Sequence, residues 1–332
     1  MNHATILSNQ ILHTAIEQNA SDIHYIPKES KIDIYFRVIG KRQFFKQLSL
    51  QAYTTILAYY KFISNMDIGE TRKPQQGAIS ISYKNQKFSL RLSSLPTNTT
   101  ESLVIRILPQ KKIQQLEELF LFPKQIQQIN KWLKYRAGVI LLTGPTGSGK
   151  TTTLYAMVKS LMKDRKYQII TLEDPIEKEL NDVIQVPINE STGITYDDGL
   201  KAALRHDPDI LLVGEIRDKK TAEFVFRAAY TGHLVLSTLH AKDTLGTIQR
   251  LIDMEIQPMD LKQSLLAVAS VQLIPLHVWK YRENRAAILE LLAGNALTTT
   301  IDQKGIKMNI YDFQKLKRKA FAYGFIHQSF LF

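Results

Sequence analysis

The chain has 332 residues, enough for two domains, and its 44% hydrophobic and 22% charged residues are typical of a folded protein. Basic residues outnumber acidic ones by 43 to 31, and the net charge of +12 suits either an anionic partner, such as nucleic acid or a membrane face, or simply a lysine-rich surface. The absence of cysteine excludes disulfides, thiolate zinc sites and cysteine nucleophiles.

Membrane-spanning and export signals are not visible in the sequence. No run approaches the roughly 18 consecutive apolar residues that a membrane span requires. The first residues lack the basic and then apolar pattern of a signal peptide. We therefore expect a cytoplasmic protein whose contact with a membrane is peripheral or made through a partner.

The first 110 residues combine helical and alternating patterns. Apolar residues recur at helical spacing over Ile6–Ile16, which predicts an amphipathic helix. Alternating segments predict strands at Lys31–Val38 and Ser102–Leu108, with a hairpin over Ala78–Ser93. Together these patterns predict a small α+β domain over residues 1–110.

A change of composition follows this domain. Residues 111–130 are rich in glutamine and glutamate and contain Pro123. We interpret this segment as a linker that leads into a helix near Gln125–Leu133.

From Gly138 onward, short apolar runs alternate with helical stretches. This order predicts a mostly parallel sheet covered by helices on both faces, within an α/β domain over residues 131–332. We expect the last part, residues 254–332, to be helical, with the basic run Lys315–Lys319 on a solvated helix face. The predicted strands are Val139–Leu142, Ile169–Leu172, Ile210–Val213 and Leu234–Ser237.

A phosphate-binding loop follows the first of these strands and opens a helix. Residues 144–151 fit the pattern G-x-x-x-x-G-K-[ST], in which glycines let backbone N–H groups point at a phosphate chain. Lys150 is expected to reach the β- and γ-phosphates, and the Thr151 hydroxyl to bind Mg²⁺. The predicted nucleotide-binding residues are Gly144, Pro145, Thr146, Gly147, Ser148, Gly149, Lys150, Thr151 and Thr152.

Acidic residues end two other predicted strands. Glu215 closes an apolar run where a Walker B carboxylate should stand, although the usual residue there is aspartate. Glu173 closes the run Ile169–Leu172, and both ends should lie at the sheet edge of the phosphate loop. Taken alone, Glu173 is equally well a surface carboxylate, and His240 after the strand Leu234–Ser237 is more often structural.

These motifs together resemble the traffic ATPase family of type II secretion and type IV pili, over most of the chain. The matching segments are a Walker A segment at Gly144–Tyr155, an aspartate box at Glu173–Glu177, a Walker B region at Asp207–Asp218 and a histidine box at Thr231–His240. Three N-terminal segments are also similar to the family: Ala20–His24, Ser89–Thr97 and Val104–Leu108.

The resemblance implies a RecA-like P-loop domain preceded by a small α+β domain of PAS-like type. It also implies ATP and Mg²⁺ as ligands, with the ion held by Thr151 and Glu215. Glu173 would then orient the attacking water, while His240, Arg205 and Arg217 would line the same cleft. Arg91 and Arg106 would reach the nucleotide across a domain or subunit boundary, as arginine fingers do.

Departures from the family pattern indicate which subfamily the chain resembles. Secretion ATPases of this kind often carry a four-cysteine zinc knuckle after Walker B, but the matching stretch Gln272–Trp279 has no cysteine. Gln76 occupies a position where an aspartate is common. We also expect neither an extra N-terminal domain nor the C-terminal signature of retraction ATPases. The chain is most similar to the competence ATPases of Gram-positive bacteria within the family.

The family implies a homo-hexameric motor that assembles a pilus-like competence pseudopilus for DNA uptake. Its partner would be a polytopic platform protein of the inner membrane, and direct DNA binding is not expected. Two rival functions remain, a nucleic-acid translocase and a pilus retraction ATPase. A third, a scaffold that binds nucleotide with little turnover, is disfavoured by the presence of Lys150, Thr151, Glu173 and Glu215.

Overall fold

The chain divides into two compact units, Met1–Lys112 and Ile113–Phe332, in a computed structural model of the protein. The structure describes residues 3–110, 112–163, 166–189, 193–277, 285–302 and 312–331. Within these residues, no helix is both long and apolar enough to cross a bilayer.

The first unit is a six-stranded antiparallel sheet with two helices. Its strand order is β3-β2-β1-β6-β5-β4, so the first strand pairs with the last in the middle of the sheet. Its elements are α1 (His3–Glu17), β1 (Asp22–Pro27), β2 (Lys31–Val38), β3 (Lys41–Ser49), α2 (Leu50–Ile63), β4 (Gln75–Tyr83), β5 (Gln86–Pro96) and β6 (Glu101–Pro109).

One face of this sheet forms a core with the two helices. Alternate residues of the central strands, such as Ile23, Ile34 and Ile105, pack with Ile11 of α1 and Ile56 of α2. Because side chains alternate along a strand, the intervening residues point to the opposite face of the sheet. That second face carries the charged residues discussed below.

A buried ion pair joins α2 to β6. The Lys61 ammonium lies 2.6 Å from a Glu101 carboxylate oxygen, and both side chains are at most 3% exposed. Lys61 also donates to the backbone oxygen of Glu70 at 2.7 Å, and Ser94 donates to the other Glu101 oxygen at 3.0 Å. Each charge is therefore hydrogen-bonded as well as paired, as burial requires.

The second unit is a seven-stranded sheet with helices on both faces. Its strand order is β13-β12-β7-β11-β10-β8-β9, and all neighbouring pairs are parallel except β12 with β13. Its elements are α3 (Leu116–Leu119), α4 (Pro123–Trp132), β7 (Gly138–Thr143), α5 (Lys150–Met162), β8 (Ile169–Glu173), β9 (Ile184–Pro187), α6 (Tyr196–Leu204), β10 (Ile210–Ile216), α7 (Lys219–Tyr230), β11 (Leu234–Leu239), α8 (Thr244–Asp253), α9 (Pro258–Ser264), β12 (Leu265–Pro275), β13 (Arg285–Ala293), α10 (Gly294–Asp302) and α11 (Phe313–Ala322).

Each face of this sheet has its own hydrophobic core. On one face, residues such as Leu141 and Leu211 pack with Val225 of α7 and Ile248 of α8. On the other face, Ile140 packs with Met157 of α5 and neighbouring residues. The α/β class expected from the sequence is confirmed.

The expected linker over residues 111–130 is not what the structure shows. The division between the units falls after Lys112, and α3 and α4 lie within the second unit. Leu116, Phe120 and Ile129 are buried in one of its two cores. Of the polar residues that suggested a linker, Glu117, Glu118 and Gln127 lie on the solvated sides of two short helices. Gln125 is buried and bonds to the backbone of Leu289.

The prediction that residues 254–332 are helical was wrong in part, because β12 and β13 lie within this stretch. β12 runs between β7 and β13 and is buried along most of its length, so its sequence has no polar alternation. An apolar run of this kind cannot be told from a buried helix by periodicity. The basic run Lys315–Lys319 does lie on a helix, α11. Part of this stretch lies outside the described residues, including Val278 and Trp279, at the position where other family members carry the zinc knuckle.

The Lys61–Glu101 pair gives a stability prediction. Lys61→Met leaves the buried Glu101 carboxylate without its counter-charge, so we expect the first unit to lose about 3–5 kcal/mol of stability. The double variant Lys61→Met/Glu101→Leu should recover most of this loss. Hydrogen exchange of the amides of α2 and β6 measures the opening free energy of this unit.

A matched control comes from an exposed pair. Lys84 lies 2.6 Å from Glu17 with both side chains at least half exposed, so Lys84→Met should leave the exchange rates of the unit unchanged. Equal protection in Lys61→Met and Lys84→Met would contradict a structural role for the buried pair.

Candidate active site

The phosphate loop lies between β7 and α5, where three glycines adopt positive φ angles. The values are 137° at Gly144, 80° at Gly147 and 101° at Gly149, the residue that precedes α5. A Cβ at Gly144 would lie 2.7 Å from the Ser148 Oγ and 2.8 Å from the backbone oxygen of Val271. Only glycine fits there, and glycine-rich loops of this kind can direct backbone N–H groups at a phosphate.

The polar groups of this loop fit a nucleotide phosphate. The Lys150 ammonium is almost buried and donates to two loop carbonyls, of Gly144 at 2.7 Å and Pro145 at 3.0 Å. Burial lowers the pKa of Lys150, and the charge of Glu215 opposes that shift. The Ser148 Oγ is buried and, within the described residues, has no hydrogen-bond partner. A negatively charged ligand would supply an acceptor for the Ser148 hydroxyl and a stronger acceptor than a carbonyl for Lys150.

Glu215 lies at an irregularity in β10. The pairing with β11 shifts register between Val213 and Ile216, as at a β-bulge. The carbonyl of Gly214 accepts a hydrogen bond from the Thr238 hydroxyl at 2.8 Å, and the Ser237 hydroxyl donates to the Val213 carbonyl at 2.7 Å. Two hydroxyls of β11 therefore hold the bulge that presents the Glu215 carboxylate.

The Glu215 carboxylate lies in a short chain of polar and charged groups. One oxygen lies 3.4 Å from the His240 Nε2 and the other 3.2 Å from the Arg217 Nε. Arg217 also reaches Asp174 at 2.9 Å. The structure thus brings together side chains that follow β8, β10 and β11, at the edge where the parallel strands end. The other histidine of the box, His233, lies at the start of β11 and holds its loop through Thr231 and the Ala228 carbonyl, each at 3.0 Å.

Glu173 is enclosed rather than open to solvent. One carboxylate oxygen accepts from the Tyr155 hydroxyl, and the other accepts from Thr171 at 2.7 Å and Gln185 at 3.2 Å. Burial raises the pKa of Glu173, and these three hydrogen bonds oppose the shift. Glu173 lies next to the β10 bulge, since a Cβ on Gly214 would be 3.5 Å from the Glu173 Cα. Its role in orienting water remains a prediction.

In the first unit, the two candidate arginine fingers belong to a row of charges across the exposed sheet face. Arg91 and Arg106 are direct partners on β5 and β6, and Arg106 is the partner of Asp22 on β1. Asp22 in turn faces Arg37, which faces Arg42 on β3. The row has four arginines and one aspartate, and arginines directly opposite each other repel.

Asp22 is the anchor of this row. Its carboxylate is 5% exposed and lies 2.8 Å from the Nε of Arg106, whose own side chain is 62% exposed. Arg37 lies 3.8 Å from the other Asp22 oxygen. Asp22 belongs to the N-terminal motif Ala20–His24, so one role of that motif is to pair with the arginines of the neighbouring strands.

Several of these features were not visible in the sequence. Tyr155 ends the Walker A segment but carries no chemical signal of its own, and its contact with Glu173 depends on packing. The Asp22–Arg106 pair joins residues 84 positions apart. Arg205 ends α6 and is exposed, and its role in the cleft remains a prediction.

The bulge in β10 generates a prediction. Thr238→Val keeps the shape of the side chain but removes the hydroxyl that holds the Gly214 carbonyl, so Glu215 should lose its orientation. We expect kcat for ATP hydrolysis to fall roughly 10- to 100-fold, as misplacement of a reacting group by about 1 Å does. The KM for ATP should change less than kcat, since the phosphate loop that holds the nucleotide is untouched. Thr247→Val, which removes a hydroxyl bonded within α8, is the control and should retain wild-type kcat.

The chain is similar to known proteins along most of its length. A family described as type II/IV secretion system protein matches residues 2–319. The competence protein ComGA of Bacillus subtilis (strain 168) is 42% identical over 96% of this chain and 94% of its own length. ComGA of Halalkalibacterium halodurans is 40% identical over 97% of this chain and 96% of its own length.

Solved structures give the same result for the fold. The pilus retraction motor PilT with bound ADP superposes with a TM-score of 0.77 at 29% identity, covering 96% of this chain and 94% of its own. The Legionella pneumophila ATPase DotB, at 21% identity, shares the fold with a TM-score of 0.78 over 98% of this chain and 93% of its own. The chain therefore belongs to the type II/IV secretion system protein family and is an ATP hydrolase of that family.

Proposed function

We propose that this protein is the ATPase that drives assembly of a competence pseudopilus, a pilus-like fibre for DNA uptake. The observation that carries the proposal is the similarity to two competence proteins across nearly the full length of both chains. The identity to them, 40–42%, exceeds the 29% to the retraction motor, which favours assembly over retraction. Its partners would be five further copies in a hexamer and a polytopic platform protein, with the ring peripheral to the cytoplasmic face of the membrane.

The nucleotide would be held by the loop Gly144–Thr152. Lys150 exchanges its two carbonyl partners for phosphate oxygens, and the loop N–H groups bind the phosphate chain. The Thr151 hydroxyl and the Glu215 carboxylate would hold Mg²⁺, which is bound in proteins through one or two such oxygens together with phosphates and water. When bound, the ion neutralises charge that develops on the phosphates.

The remaining groups would complete the hydrolytic site. Glu173 orients the attacking water, and His240, beside Glu215, senses the phosphate end of the nucleotide. Arg91 and Arg106 bring positive charge to the transferred phosphoryl group across a domain or subunit boundary. Their row carries excess positive charge, and an approaching phosphate would reduce the repulsion between the neighbouring arginines.

Motion would follow from a difference in affinity. If ATP binds one arrangement of the two units more tightly than ADP does, each turnover shifts the balance between two arrangements. The platform protein would receive this movement at the base of the fibre. Neither the motion nor the platform partner follows from the fold itself; the family relationship supports both.

Steady-state ATP hydrolysis tests the enzymatic part of the proposal. The specific activity should rise with protein concentration as the ring assembles, should not respond to DNA, and should vanish in Lys150→Ala. Stimulation by DNA of about tenfold or more, lost steeply as salt is raised, would instead indicate a nucleic-acid translocase.

Assembly and retraction are separated in cells. In a competent Gram-positive strain that lacks this ATPase, an assembly motor predicts absent fibres and absent DNA uptake, both restored by the wild type and not by Lys150→Ala. Accumulation of fibres in the deletion strain would show that the protein retracts them.

A further inference from the structure

Tyr155 connects the phosphate-binding helix to the acidic loop that follows β8. It lies in the second turn of α5, five residues after Lys150, and its side chain is 1% exposed. The ring is buried among apolar residues of one core of the second unit. Its hydroxyl, by contrast, reaches a polar segment at the end of the neighbouring strand.

This hydroxyl uses its full hydrogen-bonding capacity on one segment. It donates to the Glu173 carboxylate and accepts from the backbone N–H groups of Glu177 at 3.3 Å and Lys178 at 3.2 Å. A phenol has one proton to donate and two lone pairs to accept with. A single oxygen atom therefore holds both the start and the end of the segment 173–178.

The other contacts of Glu173 come from its own sheet edge. Thr171 belongs to β8, and Gln185 belongs to β9. Gln185 also donates to the Lys178 carbonyl at 3.0 Å and accepts from the Leu180 N–H at 2.7 Å. Among the described side-chain hydrogen bonds to Glu173, the one from Tyr155 alone comes from the helix that begins at the phosphate loop.

We propose that Tyr155 is a positioning residue, whose hydroxyl fixes the Glu173 carboxylate relative to the helix that binds the phosphates. A shift of α5 on nucleotide binding would be passed directly to Glu173 and the loop behind it. The proposal rests on the proposed role of Glu173 in orienting water. A purely structural role would ask only that the ring fill the core, which phenylalanine does equally well.

The hydrogen bond from Tyr155 also affects the protonation of Glu173. Burial raises the pKa of Glu173, whereas the Tyr155 hydroxyl stabilises the charged form. The other titratable groups that face this carboxylate are Glu177 of the loop, which raises its pKa, and Tyr196 of α6. Removing the hydroxyl therefore raises the pKa of Glu173 further, and less of the carboxylate is ionised at a given acidic pH.

The test is Tyr155→Phe, which keeps the ring and removes one oxygen. We expect kcat for ATP hydrolysis to fall about tenfold or more, with KM for ATP within about threefold of the wild type. The acidic limb of the pH profile of kcat should move to higher pH. Hydrogen exchange should quicken at the amides of Glu177 and Lys178, which lose their acceptor.

The control is Tyr53→Phe, which also removes a buried hydroxyl, one that donates to the Glu101 backbone oxygen at 2.7 Å in the first unit. This variant should lose stability alone and keep the wild-type kcat and pH profile. A pH profile and kcat unchanged in Tyr155→Phe, together with an inactive Glu173→Gln, would overturn the positioning role and leave the proposed function intact. Full activity in Glu173→Gln would instead refute the role of Glu173 itself.

Discussion

The functional site depends on one turn of backbone, the loop that joins β7 to α5. A parallel strand ends at Thr143 and a helix begins at Lys150, and the first N–H groups of a helix lack helical partners and are suited to bind an anion. The turn requires positive φ angles and, at Gly144, an approach too close for any side chain. Lys150 meanwhile rests on the loop carbonyls, a weaker set of partners than the phosphate oxygens it is proposed to bind.

The parallel sheet supplies the acidic and histidine side chains of the candidate site by bringing strand ends to one edge. β8 and β10 contribute Glu173 and Glu215 at this edge, and His240 follows β11. The positions of these side chains are then adjusted locally, by the bulge in β10 and by the hydroxyls of Thr238 and Tyr155. The buried Glu173 carboxylate needs hydrogen-bond donors such as Tyr155, since burying an unpaired charge is costly. The same hydrogen bonds therefore support both folding and the proposed chemistry.

The sequence predicted the parts of this site that lie in contiguous motifs, and it did not predict the contacts between distant elements. The phosphate loop is a contiguous pattern with a chemical reason for each residue, and Glu215 follows an unmistakable apolar strand. Glu173 could be named from its family motif, but its enclosure by Tyr155 and Gln185 arises from packing between elements. The Asp22–Arg106 pair likewise depends on the pairing of the first and last strands of a sheet. β12 was missed because a strand buried on both faces loses the alternation that identifies strands.

The most direct measurement is calorimetric binding of Mg·ATP to the full chain and to Lys150→Ala. If the loop is the nucleotide site, loss of the Lys150 ammonium should weaken binding about 10- to 100-fold, the worth of charge-assisted hydrogen bonds. Lys163→Ala, which removes an exposed lysine at the other end of α5, should bind as the wild type does. Equal affinity of Lys150→Ala and the wild type for Mg·ATP would contradict the assignment of this loop as the nucleotide site.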